Sequence, residues 1–100
     1  MAKCGLYVRL TAKEGQEDAL ENFLKGALPA AERESQTPVW FALKFGPGDF
    51  GIFDAFATEE GRQLHLNGEI AAALMAHADQ LLSAAPKIEP MEVLAAKLPG

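Results

Sequence analysis

A single cysteine in 100 residues allows no intrachain disulfide, so the fold must rest on its core and a cytoplasmic location is expected. Cys4 itself reads as a residue at the start of a strand. No apolar run approaches the roughly 20 residues that span a bilayer, and Met1-Ala-Lys-Cys-Gly5 opens no signal-peptide hydrophobic region. Positive charge is also in short supply: 9 Lys and Arg stand against 14 Asp and Glu, a formal net charge of −5. The basic residues are scattered from Lys3 to Lys97 and form no stripe. Nucleic acid and anionic membrane surfaces are therefore excluded as expected partners. There is no P-loop, no dinucleotide fingerprint after the first strand, no Cys-x-x-Cys and no Ser-centred elbow. The two histidines do not have the spacing of a metal signature, so no metal ligand set is assigned.

What the chain does have is apolar content of 49%, enough for one domain spanning residues 1–100. Gly5 to Leu10 reads as a first strand, with Leu6, Val8 and Leu10 on one face and Tyr7 and Arg9 on the other. Ala19, Leu20, Phe23, Leu24, Ala27, Leu28 and Ala31 keep helical spacing, with Pro29 expected to kink or divide the helix. Val39 to Phe45 reads as strand two, and Gly46-Pro-Gly-Asp49 as the hairpin into strand three. Thr58 caps a helix that carries Leu64, His65 and Leu66 and breaks at Asn67-Gly68. A longer helix is expected from Glu69 to about Ala84, then a last strand from Met91 to Leu98, approached through Pro86 and Pro90.

The order β-α-β-β-α-β, four antiparallel strands with the helices on one face, is the ferredoxin-like α+β plan. Strands two and three are apolar on both faces, and helices from one chain dry only one of them. Leaving the other bare would forfeit about 1.5–3 kcal/mol per large side chain and make an adhesive patch. A homodimer packed sheet against sheet, with the C-terminal strand reaching into the interface, is the expected remedy.

Within strand three, alternation places Phe50, Ile52, Asp54 and Phe56 on one face. One carboxylate in an otherwise apolar strand needs a partner, a proton, water or a pocket. The next element offers His65. The run Phe50-x-x-Phe53-Asp54-x-Phe56-x-Thr58-x-Glu60-x-x-x-x-His65-Leu66 resembles the antibiotic biosynthesis monooxygenase domain, a branch of the dimeric α+β barrel superfamily. Asp54 stands where that family usually has Glu, and Phe56 where it often has Trp. Gly15-x-x-x-x-Leu20-x-x-Phe23-Leu24 is similar to the family's first helix, whereas Ser35-Gln-Thr-Pro38 departs from its Glu-Pro-Gly type turn. The resemblance covers roughly Leu6 to Lys97. It implies oxygenation of a small aromatic or quinol-type compound, without flavin, haem or metal, in a pocket between sheet and helices.

On that resemblance His65 is the acid/base or anion-stabilising group and Asp54 its orienting partner. From the residues alone, His65 could equally be a capping histidine, and Asp54 could pair with Arg9 or Lys44 across the sheet. No second acidic partner for His65 is visible. Trp40 and Phe56 are the expected pocket walls, with Phe41 and Phe53 assigned to the core. Tyr7, Arg9, Asn67 and His77 complete the substrate-binding candidates. Each has a plainer reading: strand packing, a half-solvated cation, a turn before glycine, a satisfied core histidine. A non-oxidative isomerase on the same scaffold and a non-catalytic dimeric binding protein are the rival functions.

Overall fold

A computed structural model describes residues 2–99. The elements are β1 (Cys4–Thr11), α1 (Glu17–Gly26), α2 (Leu28–Arg33), β2 (Val39–Gly46), β3 (Asp49–Phe56), α3 (Glu59–Leu66), α4 (Glu69–Leu81) and β4 (Lys87–Glu92). They build one antiparallel sheet in the order β2-β3-β1-β4, the ferredoxin-like α+β arrangement. β2 and β3 meet through Pro47-Gly48, with proline at the first turn position and Gly48 at φ +82° in the second. That backbone conformation is open to glycine and strained for other residues.

The strand periodicity resolves into two faces. Leu6, Val8 and Leu10 of β1 and Phe50, Ile52 and Phe56 of β3 are buried under the helices. Val8, Leu10, Phe50 and Ile52 meet Leu20 and Leu24 of α1 and Leu74 and Leu81 of α4 there. Both helical regions are divided, as the sequence suggests. The first breaks at Ala27, leaving Pro29 in the opening turn of α2, where its missing N–H costs no helical bond. The second breaks at Asn67-Gly68.

Three expectations fail. The last strand runs from Lys87 to Glu92, earlier than Met91–Leu98, and residues 93–99 carry no regular structure. Pro90 therefore lies inside a strand, opposite Leu6. β4 is a sheet edge, where a residue without an N–H is tolerated on the unpaired side. Helix α4 stops at Leu81 because Leu82 turns to bridge Ala12 and the Ser83 amide donates to the Thr11 carbonyl at 2.9 Å. Phe41 and Phe53 are not core residues of the folded chain. They stack at 6.4 Å between ring centroids on the face that no helix covers, and Phe41 is 51% exposed. Val39, Leu43, Phe45 and Tyr7 share that face by strand register, and the Arg9 guanidinium lies 4.7 Å from the centre of the Phe45 ring.

Candidate functional site

Asp54 enters the helix-covered layer because it follows Ile52 and precedes Phe56 at the same strand phase. It is 1% exposed. α3 then brings the imidazole. Thr58 Oγ1 accepts from the Gly61 amide at 3.0 Å and fixes the start of the helix. Gly61 and His65, four residues apart, form its buried face. His65 is 6% exposed, and its ring centroid lies 5.4 Å from that of Phe56, itself fully enclosed.

Both nitrogens of His65 are engaged. Nε2 is 2.9 Å from Asp54 Oδ2, and Nδ1 is 2.6 Å from Glu34 Oε1. Glu34 caps the C-terminal end of α2 in an extended conformation, and its Oε1 also accepts from Thr37 Oγ1 at 2.8 Å. This segment approaches the second helical region closely at Gly68, where an added Cβ would lie 3.2 Å from Glu34 Oε2. The result is a chain, Thr37–Glu34–His65–Asp54, tying the α2–β2 connection to α3 and β3. Sequence reading missed Glu34, and the apparent lack of a second acidic partner for His65 is corrected here. The alternative pairings of Asp54 are also set aside. Arg9 is on the opposite sheet face over Phe45, and Lys44 bonds Glu21 at 2.7 Å.

Burial disfavours a charged imidazole. The hydrogen bonds that the protonated ring donates to Asp54 and Glu34, reinforced by their charges, outweigh that penalty and hold the His65 pKa above its ordinary value of 6.5. The site thus favours an imidazolium donating from both nitrogens. A histidine whose folded pKa is raised stabilises the fold fully below its unfolded value and loses that contribution as pH rises through the folded one. Chemical denaturation at a series of pH values should accordingly show the midpoint falling as pH climbs above about 6.5. A His65→Gln variant should lack this slope. An equally steep fall in the variant would assign the slope to other groups.

The remaining sequence candidates disperse. Trp40 pairs in register with Asp54 on the same sheet face, and its Nε1 is buried with no hydrogen-bond partner among the described residues. The same is true of Asp54 Oδ1. Trp40 lines a cleft of about 450 Å³ together with Leu28, Ala31, Glu32, Glu34, Thr37 and Pro38. Phe56 borders His65 and, at 0% exposure, presents no open wall. Tyr7 and Arg9 project from the uncovered sheet face, away from His65. Asn67 caps α3, its Nδ2 donating to the Gln63 carbonyl at 3.0 Å. His77 is exposed on α4, edge-on to Phe23 at 5.7 Å, and does not converge on His65. Among the described residues, no group of three His, Cys, Asp or Glu side chains is placed to hold a metal ion. No helix among them is long and apolar enough to cross a membrane.

No protein-family model and no curated protein matches the chain. Solved structures do. The NE2512 protein of unknown function from Nitrosomonas europaea is 66% identical, with a TM-score of 0.98 over 100% of this chain and 97% of that one. A protein from the same organism, provisionally named an antibiotic biosynthesis monooxygenase, superposes at TM-score 0.82 and 14% identity, covering 92% of this chain and 99% of its own. A protein of the same provisional name from Chloroflexus aurantiacus J-10-fl gives 0.75 and 18%, covering 99% and 100%. At such identities the likeness to these last two is one of fold.

Proposed function

The chain belongs to the family of the Nitrosomonas NE2512 protein and has the fold of the antibiotic biosynthesis monooxygenases, and on that premise we propose that it is a cofactor-independent monooxygenase of a small, weakly acidic aromatic or quinol-type compound. The supporting observation is the buried imidazole held between two carboxylates. Such a cluster keeps a positive charge at His65, flanked by a carboxylate on either side, where it offsets the negative charge a substrate acquires on losing its proton. A substrate that has lost its proton is electron-rich enough to reduce dioxygen itself. For an anthrone-like methylene, one oxygen atom ends as a ring carbonyl and the other leaves as water with both methylene hydrogens. The substrate supplies all the electrons, and the protein contributes the base, the orientation and a water-poor enclosure.

Oxygen uptake by metal-free protein, supplied with anthrone or 1,4-dihydroxynaphthalene, tests this reading. Wild type should consume oxygen faster than protein-free buffer, and His65→Gln should lower the enzymatic rate by about 10²–10⁴-fold. Uptake equal to buffer for both proteins rejects it, and turnover of a substrate undiminished without oxygen would favour the isomerase. We place the protein in the cytoplasm, on its lone cysteine.

The same proposal includes a homodimer. Phe41 and its neighbours on the bare sheet face form a continuous apolar surface. Beyond β4 the tail is exposed at Leu94, 93% accessible, and its end at Leu98 and Pro99 borders Val39 and Phe41, which would place it at the edge of such an interface.

A further inference from the structure

Resting on the oxygenase reading for its chemistry, we propose that Glu34, not His65, takes the substrate's proton, in the cleft at the α2–β2 corner, and that this cleft selects neutral hydroxyl compounds over anions. His65 cannot be the first acceptor from this cleft. Both its nitrogens face carboxylates, and it does not border the cavity. Glu34 belongs to both. It bonds His65 on the inner side and lines the cleft of about 450 Å³ on the outer. Its Oε1 serves Thr37 and His65, while Oε2 carries no hydrogen bond among the described residues.

The proton path follows. A substrate O–H bond breaks and its proton passes to Glu34, which becomes a neutral carboxylic acid beside the His65 imidazolium. Nothing else is made or broken, and the substrate is left as its oxyanion next to an uncharged Glu34. Asp54 and His65 are then positioning residues that hold the positive charge in place, while Glu34 is the one that touches substrate.

The lining dictates the ligand class. Leu28, Ala31 and Trp40 supply apolar surface, Glu32 and Glu34 supply negative charge, and no Lys or Arg side chain lines the cleft. A carboxylate or phosphate would meet two like charges with no compensation. Glu34 lines the cleft as an acceptor. A hydroxyl brings both the donor and the proton it can give up, whereas an ether has neither.

Because Trp40 is the sole tryptophan and lines this cleft, indole fluorescence responds to a ligand bound there. We would titrate the full chain with 4-cyanophenol, 4-cyanoanisole, 4-cyanobenzoate and 4-cyanobenzylamine. The phenol should bind roughly tenfold more tightly than each of the others, and the benzoate most weakly. Its phenolate absorption should appear on binding to wild type and vanish with Glu34→Gln, while Glu32→Gln keeps that band and admits the benzoate. The ligand ranking on wild type and the Glu32→Gln result stand even if Glu34→Gln does not fold. Equal affinity for phenol and benzoate, tightest binding of the amine, or a phenolate band that survives Glu34→Gln would each overturn the assignment. No step of this assay consumes oxygen. A protein that ionises the phenol yet takes up no oxygen sinks the oxygenase reading alone, and oxygen uptake without phenol preference sinks this one alone.

Discussion

Replacing His65 by alanine should lower the free energy of unfolding by about 3–5 kcal/mol, measured at pH 6 by urea denaturation followed by circular dichroism. The loss comes less from the imidazole's own packing than from what it leaves behind. Asp54 is 1% exposed, its Oδ1 has no hydrogen-bond partner among the described residues, and His65 Nε2 is the partner of its Oδ2. Without the ring, a carboxylate remains in an apolar layer beside Phe56. It must then either stay charged and unpaired or take a proton. Adding Asp54→Asn to His65→Ala should restore part of the loss, since the buried charge is removed with its partner. The coupling in that double-mutant cycle should reach about 1–3 kcal/mol. Glu34→Ala should cost less, because the Glu34 side chain is 12% exposed and His65 keeps its bond to Asp54. A loss from His65→Ala within about 0.5 kcal/mol, the range of surface substitutions, would mean that the cluster does not hold the fold together.

Local periodicity made much of this architecture legible, and its limits have physical causes. Alternation in Phe50–Phe56 marks the faces of β3, and Pro47-Gly48 announces its hairpin, because both signals lie within a few residues. Strand phase alone could have settled one rivalry. Arg9 pairs with Gly51, out of step with Asp54, so it cannot reach the same face. Glu34 was hidden for a different reason. It lies 31 residues from His65, in a helix end whose neighbours Glu32 and Arg33 read as ordinary solvated charge. The usable hint was register: Trp40 opposite Asp54 means that the chain entering β2 passes close to whatever partners Asp54. The edge position of β4, which makes Pro90 harmless, follows from strand order, a long-range property that no local window contains. The assignment of Phe41 and Phe53 to the core failed similarly. Periodicity says that β2 has two apolar faces, not which of them the helices cover.

That uncovered face carries the other large expected effect, a change of assembly with Phe41→Asp. Sedimentation equilibrium of wild type should give twice the 10.7 kDa chain mass, and the variant should fall to one chain. Phe41 is 51% exposed in the folded chain, so its replacement removes little from the protomer itself. In a symmetric interface, however, each substitution occurs twice. Two lost phenyl contacts at about 1.5–3 kcal/mol each, with two carboxylates brought into an apolar interface, should weaken association by at least about 100-fold. Met75→Asp is the matched control. Met75 is 59% exposed on α4, on the helical side of the molecule, and its replacement should leave the mass unchanged. Phe41 also lies on the sheet face opposite Asp54, so the Glu34–His65–Asp54 chain should stay intact in the dissociated variant. The histidine ring signals of Phe41→Asp, titrated by NMR, would then follow those of wild type. A wild type already at one chain mass would leave the bare aromatic face without the partner that its exposure calls for.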